Sequence, residues 1–147
     1  KQYNDHYGHV VGDVCLRNIA AAISGAAQRE IDTVARYGGE EFALILPNTD
    51  ADGVVALAEQ IRQSIADTPF DTEIGALSVR ISAGCYAAIA ESAMVSSNYI
   101  QAADEALYRA KHAGRNQVQL TPAPAAEAAA GQPVTEPTEG TADESEL

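Results

Sequence analysis

Two consecutive carboxylates, Glu40 and Glu41, are the residues best suited to chemistry, because they directly follow a pair of glycines. Residues 34–37 and 42–46 have strand composition, so the glycines 38–39 predict a tight hairpin with a type I′ turn, whose positive φ glycine accepts. Strand alternation predicts that the two glutamates point to opposite faces. An acid held at such a turn is able to bind a divalent cation, and a solvated hairpin tip is the alternative interpretation.

Three amphipathic helices are predicted around this hairpin, because apolar residues recur at helical spacing in three segments. The first covers about residues 10–27, and the second begins after Asp50, a residue type that caps helix amino termini. The third covers about residues 97–113 and ends at Gly114, the expected carboxyl-terminal cap. Its predicted buried residues are Ile100, Ala103, Leu107 and Ala110.

Further strands are predicted after the second helix and at the end of the folded region. Residues 77–83 and 85–89 read as two strands that meet near Gly84, and residues 117–120 read as a short last strand. Helices and strands mixed in this order favour an α/β (α+β) sandwich, in which helices cover a largely antiparallel sheet.

The charge of the chain is strongly acidic and unevenly distributed. Acidic residues outnumber basic ones by 21 to 9, and the net charge is −12. Six of the acids and none of the bases lie in residues 121–147, so residues 1–120 carry a net charge of −6. This balance argues against DNA or RNA as a partner, since neutralising phosphates needs a basic face. We predict one folded domain over residues 1–120 and a disordered, acidic, Ala/Pro/Glu-rich tail over residues 121–147.

The two cysteines, Cys15 and Cys85, are isolated and show no metal-ligand spacing. We predict that both are reduced, partly buried thiols in a reducing compartment. No apolar run approaches the ~20 residues needed to cross a bilayer.

Several separate blocks of this sequence resemble the GGDEF family of diguanylate cyclases, here in a Gly-Gly-Glu-Glu-Phe form. They follow the family's order, close to its spacing, over residues 1 to about 120. The matching blocks are 1–5, 8–9, 12–13, 35–42, 82–84, 103–104, 106–108, 110–111 and 114–116. The resemblance implies a palm-like nucleotidyl cyclase fold and a nucleotidyltransferase that joins two GTP molecules into cyclic di-GMP with release of pyrophosphate.

The resemblance also implies catalytic and metal-binding roles. Glu40 matches the family's metal-binding acid, which is thought to help deprotonate the attacking 3′-hydroxyl, and Lys1 matches a lysine proposed to stabilise transition-state charge. Glu41 is the second acid of the motif, with the weaker claim to metal contact because strand alternation turns it away from Glu40. The implied cofactor is Mg²⁺ or Mn²⁺.

The resemblance identifies a set of substrate contacts. Asn4 and Asp13 match the guanine-binding residues, and an amide with a carboxylate suits guanine better than adenine, which favours GTP over ATP. His9 matches another substrate contact, and Lys111 and Arg115 match the triphosphate-binding bases. From residue types alone, Asp13 reads as an acid of a helix first turn, His9 as structural, and the two bases as partners of a helix dipole.

Arg29 and Asp32 reproduce the family's Arg-x-x-Asp inhibitory site just upstream of the glycine pair. This implies that cyclic di-GMP binds there and inhibits its own synthesis, and a surface ion pair is the alternative. A second arginine, which some members supply from the following helix, would fall at Gln60. Arg62 lies two residues away and roughly 200° round the helix, so we expect weakened inhibition.

The family has one more strand just before the position of Lys1, with a metal-binding aspartate and a phosphate-cradling loop. This sequence begins at Lys1. We therefore expect a fragment of a longer protein that makes little or no cyclic di-GMP by itself, while the longer protein with this strand is active.

The resemblance implies a cytoplasmic catalytic domain that takes GTP, releases cyclic di-GMP, works as a homodimer and is controlled by an upstream sensor domain. The alternative is a non-catalytic GGDEF domain that acts as a receptor for GTP or cyclic di-GMP. A purely structural interaction domain is the third interpretation. Product formation from GTP with Mg²⁺ distinguishes the first from the other two.

Overall fold

A computed structural model describes residues 9–72, 74–90 and 95–123 of the chain. This part contains three helices and six short strands. In chain order they are α1 (His9–Ala26), β1 (Thr33–Arg36), β2 (Phe42–Ile45), α2 (Ala51–Asp67), β3 (Phe70–Thr72), β4 (Gly75–Leu77), β5 (Ala83–Tyr86), α3 (Ser96–His112) and β6 (Val118–Thr121).

The helix ends follow the predicted capping residues. The Asp50 carboxylate accepts a hydrogen bond from the Gly53 backbone N–H at 2.8 Å, which caps the first turn of α2. After α3, Gly114 adopts φ 112°, a conformation that an L-residue rarely takes. The backbone N–H of Arg115 then donates to the Ala110 carbonyl at 3.0 Å and closes the helix end.

The strands form three two-stranded sheets. β1 pairs with β2 and β3 pairs with β4, both antiparallel, whereas β5 pairs with β6 in parallel. Among the described residues no ladder joins these sheets, so β2 and β5 each keep one edge without a strand partner there. The predicted mixed α+β class is confirmed, and two of the three described pairs are antiparallel.

Two strand predictions after α2 are wrong in extent. Residues 78–82 are not a strand, and Gly84 lies inside β5 rather than between two strands. The alternation of Leu77, Val79 and Ile81 reflects burial, because all three pack against the core, but alternation alone does not supply a pairing partner. The last strand, predicted over residues 117–120, covers Val118–Thr121.

The main core lies where α1 and α2 pack together against β3. Ile65 of α2 is its most buried residue, at 1% exposure. The buried members of this cluster are Val11, Cys15, Ile23, Ile61, Ile65 and Phe70. Burial of such side chains is the main favourable term in folding.

A second packing contact joins α3 to β5. Ala106 and Ala110 are fully buried, while Ile100, predicted to be buried, is 46% exposed. The fully buried residues of α3 are therefore alanines, whereas Ala103 and Leu107, also predicted to be buried, are partly buried. A Cβ placed on Gly84 would lie against the Ala103 carbonyl oxygen and the Leu107 nitrogen, so the two backbones meet without an intervening side chain.

Both cysteines are free, as predicted, and they are buried rather than partly buried. Burial raises the pKa of the Cys85 thiol to about 11. None of the helices in the described ranges is long and apolar enough to cross a membrane.

Candidate active site

The loop between β1 and β2 has five residues, Tyr37 to Glu41. The backbone N–H groups of Tyr37 and Gly38 both donate to the Glu41 carbonyl, at 2.8 and 3.3 Å. Neither Gly38 nor Gly39 adopts a positive φ. The prediction of a hairpin is confirmed, but the prediction of a two-residue type I′ turn is wrong, because a wider loop does not need left-handed residues at its tip.

Arg36 closes this loop with its side chain. Its Nη2 and Nε groups both donate to the Gly39 carbonyl oxygen, at 2.6 and 3.2 Å. A charged donor of this kind makes a stronger hydrogen bond than a neutral one. Sequence reasoning gave Arg36 no such role, and its position before the glycine pair is the only sequence signal for it.

The two acids lie in the loop rather than in strand β2. Strand alternation therefore does not apply to them, since it holds only within a strand, and the prediction that they point to opposite faces loses its basis. The Glu41 Oε1 atom lies 3.7 Å from Nζ of Lys111, which comes from the last turn of α3. Both side chains are about half exposed, at 49% and 47%. A pair exposed to this degree contributes only about 0–1 kcal/mol to folding, so fold stability does not account for it.

Glu40 shares this electrostatic environment. The pKa of its carboxyl is lowered from the ordinary value, first by a hydrogen bond and the charge of the amino terminus of the chain, and also by the charge of Lys111. Of these two sources, Lys111 lies among the described residues. The loop thus presents two acids close to a base.

Glu40 and Glu41 are the candidate ligands for a divalent cation in this loop. No group of three or more His, Cys, Asp or Glu side chains suited to a metal occurs within the described ranges. Mg²⁺ is commonly held by one or two carboxylates, with water and substrate phosphates as its other ligands. Glu40 and Glu41 fit this smaller requirement.

Two bases lie close together in the sequence at the end of α3. Lys111 is in the last turn of the helix, and Arg115 follows three residues after its end. Arg115 is exposed and adopts φ 61°, in the left-handed region. The cap at Gly114 therefore determines where the Arg115 side chain emerges.

The predicted guanine contacts are described only in part. Asp13 is exposed on α1, and it is the fifth residue of the helix, so its interpretation as a first-turn acid is wrong. Its backbone carbonyl accepts from Arg17 Nε at 3.3 Å. Lys1 and Asn4 lie outside the described residues, and His9 begins α1 without a described side chain.

Arg29 and Asp32 form a two-point ion pair, with the Arg29 Nε and Nη2 groups 3.0 and 2.6 Å from Oδ1 of Asp32. The Asp32 side chain is only 3% exposed, while that of Arg29 is 46% exposed. Arg29 Nη2 also donates to Thr49 Oγ1 at 2.6 Å, which connects the motif to the residue before the α2 cap. Sequence reasoning missed Thr49, since it lies 20 positions away from Arg29.

Acid titration tests the strength of this ion pair. The side-chain hydrogen bonds from Arg29 lower the pKa of the Asp32 carboxyl, against the opposing effect of burial. A carboxyl whose pKa is lower in the folded state stabilises the fold above its unfolded pKa, near 4, and this contribution is lost as the pH falls through the folded value. We expect Asp32→Asn to destabilise the domain at neutral pH, with the difference from wild type shrinking below about pH 4.

Urea unfolding at several pH values measures this difference. Glu30→Gln removes the charge of an exposed acid in the same turn and is the matched control, for which we expect a smaller effect at neutral pH. A wild-type advantage over Asp32→Asn that persists undiminished at about pH 3 would show that the carboxylate charge does not matter here.

Comparison with known families identifies the chain. Residues 1–117 match the family described as "Diguanylate cyclase, GGDEF domain". This chain belongs to the GGDEF family. Among the family's curated proteins, Diguanylate cyclase A of Treponema denticola is 42% identical over 123 residues. The match covers 82% of this chain and 32% of that protein, so the chain spans about a third of the relative's length.

Solved structures of GGDEF domains share the fold. The active GGEEF domain of a diguanylate cyclase from Vibrio cholerae matches with a TM-score of 0.73 and 32% identity, over 82% of this chain and 74% of that one. The GGDEF domain of DgcB from Caulobacter crescentus, solved in complex with c-di-GMP, matches with a TM-score of 0.71 and 33% identity, over 82% of this chain and 70% of that one. The expected nucleotidyl cyclase fold is thereby confirmed.

Proposed function

We propose that this GGDEF domain is the catalytic domain of a diguanylate cyclase, which condenses two GTP molecules into cyclic di-GMP and releases pyrophosphate. The observation that carries this proposal is the approach of Lys111 to the acidic loop, at 3.7 Å from Glu41. A weak, exposed ion pair between a helix end and a hairpin loop contributes little to folding. The same arrangement suits a triphosphate, because the base attracts phosphate and the acids attract its counter-cation.

In this proposal Glu40 accepts the proton of the 3′-hydroxyl that attacks the α-phosphate of the other GTP. Its ionised form is the form able to take that proton. Lys111 and Arg115 neutralise the triphosphate, and Lys1 stabilises transition-state charge. The loop braced by Arg36 keeps the acids in place, so that little ordering is needed when substrate binds.

Glu40 and Glu41 would hold Mg²⁺ or Mn²⁺, which stabilises negative charge on the attacking and leaving oxygens. Asn4, Asp13 and His9 would orient the base. A carboxylate accepts from the N1–H and amino group of guanine, and adenine does not present this pattern. The exposed position of Asp13 on α1 leaves its carboxylate available to a ligand.

Two GTP molecules must meet for this reaction, so we propose that two copies of the domain each present one GTP to the other. An upstream sensor domain in the full-length protein would control this pairing. The location of the domain would be the cytoplasm, where GTP is available.

We also propose that cyclic di-GMP binds at Arg29 and Asp32 and inhibits the enzyme. The ion pair already orients the guanidinium, whose 46% exposure leaves part of it free to meet a phosphate or guanine. The ligand would compete with the Arg29 contacts to Asp32 and Thr49.

Incubating the full-length protein with GTP and Mg²⁺ tests the function, with the product separated by chromatography. We expect cyclic di-GMP and pyrophosphate from GTP and no cyclic product from ATP. Binding of cyclic di-GMP without any turnover of GTP would instead indicate the receptor function, and neither binding nor turnover would contradict both.

A further inference from the structure

The loop that carries Arg115 has an unusual backbone. Gly114, Arg115 and Asn116 are three consecutive residues with positive φ, at 112°, 61° and 48°. Glycine and asparagine tolerate this region, whereas arginine does so at a cost. Such a run persists only where surrounding contacts hold it in place.

Asn116 supplies those contacts on both its backbone and its side chain. Its backbone N–H donates to Ser82 Oγ at 3.1 Å. Its side-chain Oδ1 accepts from Arg62 Nη1 at 2.9 Å, across 54 positions of sequence. The residue after Arg115 is thus fastened to two separate parts of the fold.

Arg62 is itself held in position. Its Nε and Nη2 groups donate to both carboxylate oxygens of Glu59, one turn earlier on α2, at 2.8 and 2.6 Å. The Arg62 side chain is only 15% exposed. Because the Glu59 carboxylate holds one edge of the planar guanidinium, the direction of the remaining Nη1 group is fixed. This group points to Asn116.

We propose that Arg62 is a positioning residue for phosphate recognition, which acts through Asn116 to hold the left-handed loop that presents Arg115. This rests on the proposed function, in which Arg115 contacts the triphosphate. Arg62 itself makes no contact with the substrate in this assignment. Its engagement with Glu59 and Asn116 also gives it a role different from that of the second arginine of an inhibitory site.

Two variants test this assignment. Arg62→Met keeps most of the side chain's length and removes the donors. Asn116→Gly removes the acceptor while still allowing a positive φ, so it separates the loss of the hydrogen bond from backbone strain. Gln63→Met is the matched control, since Gln63 donates to Glu59 at 3.0 Å on the same helix.

The measurement compares the Kd values of GTP and GMP by calorimetry on the full-length protein. For Arg62→Met and Asn116→Gly we expect about tenfold weaker binding of GTP, with little change for GMP, because a misplaced Arg115 loses a charge-assisted bond to the outer phosphates. In an Arg115→Ala background neither substitution should weaken GTP binding further. Gln63→Met should bind both nucleotides as the wild type does.

Equal losses for GTP and GMP, a further loss in the Arg115→Ala background, or no loss at all would overturn the proposal. Failure of the proposed function is a separate result, in which the wild type itself does not prefer GTP over GMP. The effect of Arg62 on the position of Asn116 can be measured without nucleotide, by hydrogen exchange of the Asn116 backbone amide. We expect faster exchange in Arg62→Met, and unchanged exchange would contradict the role of Arg62.

Discussion

Replacement of Gly84 by alanine is expected to destabilise the domain by about 3 kcal/mol or more, or to prevent its folding. The added Cβ would overlap the Ala103 carbonyl oxygen and the Leu107 nitrogen, and would lie 2.8 Å from the Leu107 Cα. All three are backbone atoms of α3, so no side-chain rotation relieves the overlap. The helix would have to move away from β5, and Lys111 and Arg115 would move with it.

Urea unfolding followed by circular dichroism measures the effect. Gly25→Ala is the matched control, because Gly25 lies in α1 and a Cβ there would meet nothing within 4 Å. We expect Gly25→Ala to be neutral or to stabilise by about 0.5–1 kcal/mol, since alanine loses less backbone entropy in a helix than glycine does. Equal stabilities for Gly84→Ala and the wild type would show that α3 does not pack against β5 as closely as described.

Glu40→Gln is expected to lower the turnover of GTP in the full-length protein by about 10²–10⁴-fold, the range that general-base catalysis contributes. Glutamine has nearly the same shape as glutamate but carries no charge and does not accept the 3′-hydroxyl proton. Because Glu40 is exposed in the loop, the substitution should leave the stability of the domain close to that of the wild type. Cyclic di-GMP formation at saturating GTP is the measurement.

A matched acid elsewhere separates catalysis from a general loss of charge. Glu105 is exposed on α3 and accepts from Gln101 Nε2 at 3.2 Å. We expect Glu105→Gln to retain most of the wild-type turnover. If Glu40→Gln retained most of it as well, Glu40 would have no part in proton transfer or metal binding.

Local signals in the sequence predict the helices well, because a helix end depends on residues within a few positions. Asp50 and Gly114 both cap helices where their residue types predict it. The segment after Leu77 shows the limit of such signals. Apolar side chains there do pack against the core, yet the predicted strand is absent, because pairing depends on a partner backbone that the local sequence does not describe.

The hairpin loop shows a similar limit. Two adjacent glycines favour a tight turn, but the loop is closed by the Arg36 guanidinium and by two N–H groups on the Glu41 carbonyl. A side chain that satisfies a loop carbonyl replaces the turn geometry that glycine would provide. Because the loop is wider than a two-residue turn, Glu41 lies in the loop and not in β2, and its carboxylate lies next to Lys111.

Long-range contacts of the candidate site had no sequence signal of their own. Arg62 and Asn116 are 54 positions apart, and Arg29 and Thr49 are 20 apart. The residue types do carry a partial hint, since an asparagine two residues after a capping glycine is suited to positive φ. Only the folded arrangement identifies which arginine it meets.

The most direct test of the central claim is a titration of the isotope-labelled protein with GTP and Mg²⁺, followed by NMR at the loop 37–41 and at Lys111 to Asn116. If the acidic loop and the end of α3 form one nucleotide site, the amide signals of both segments should shift together, with a single Kd, and ATP should produce much smaller shifts. Shifts confined to one segment, or signals in both that stay unmoved at saturating GTP, would contradict the account.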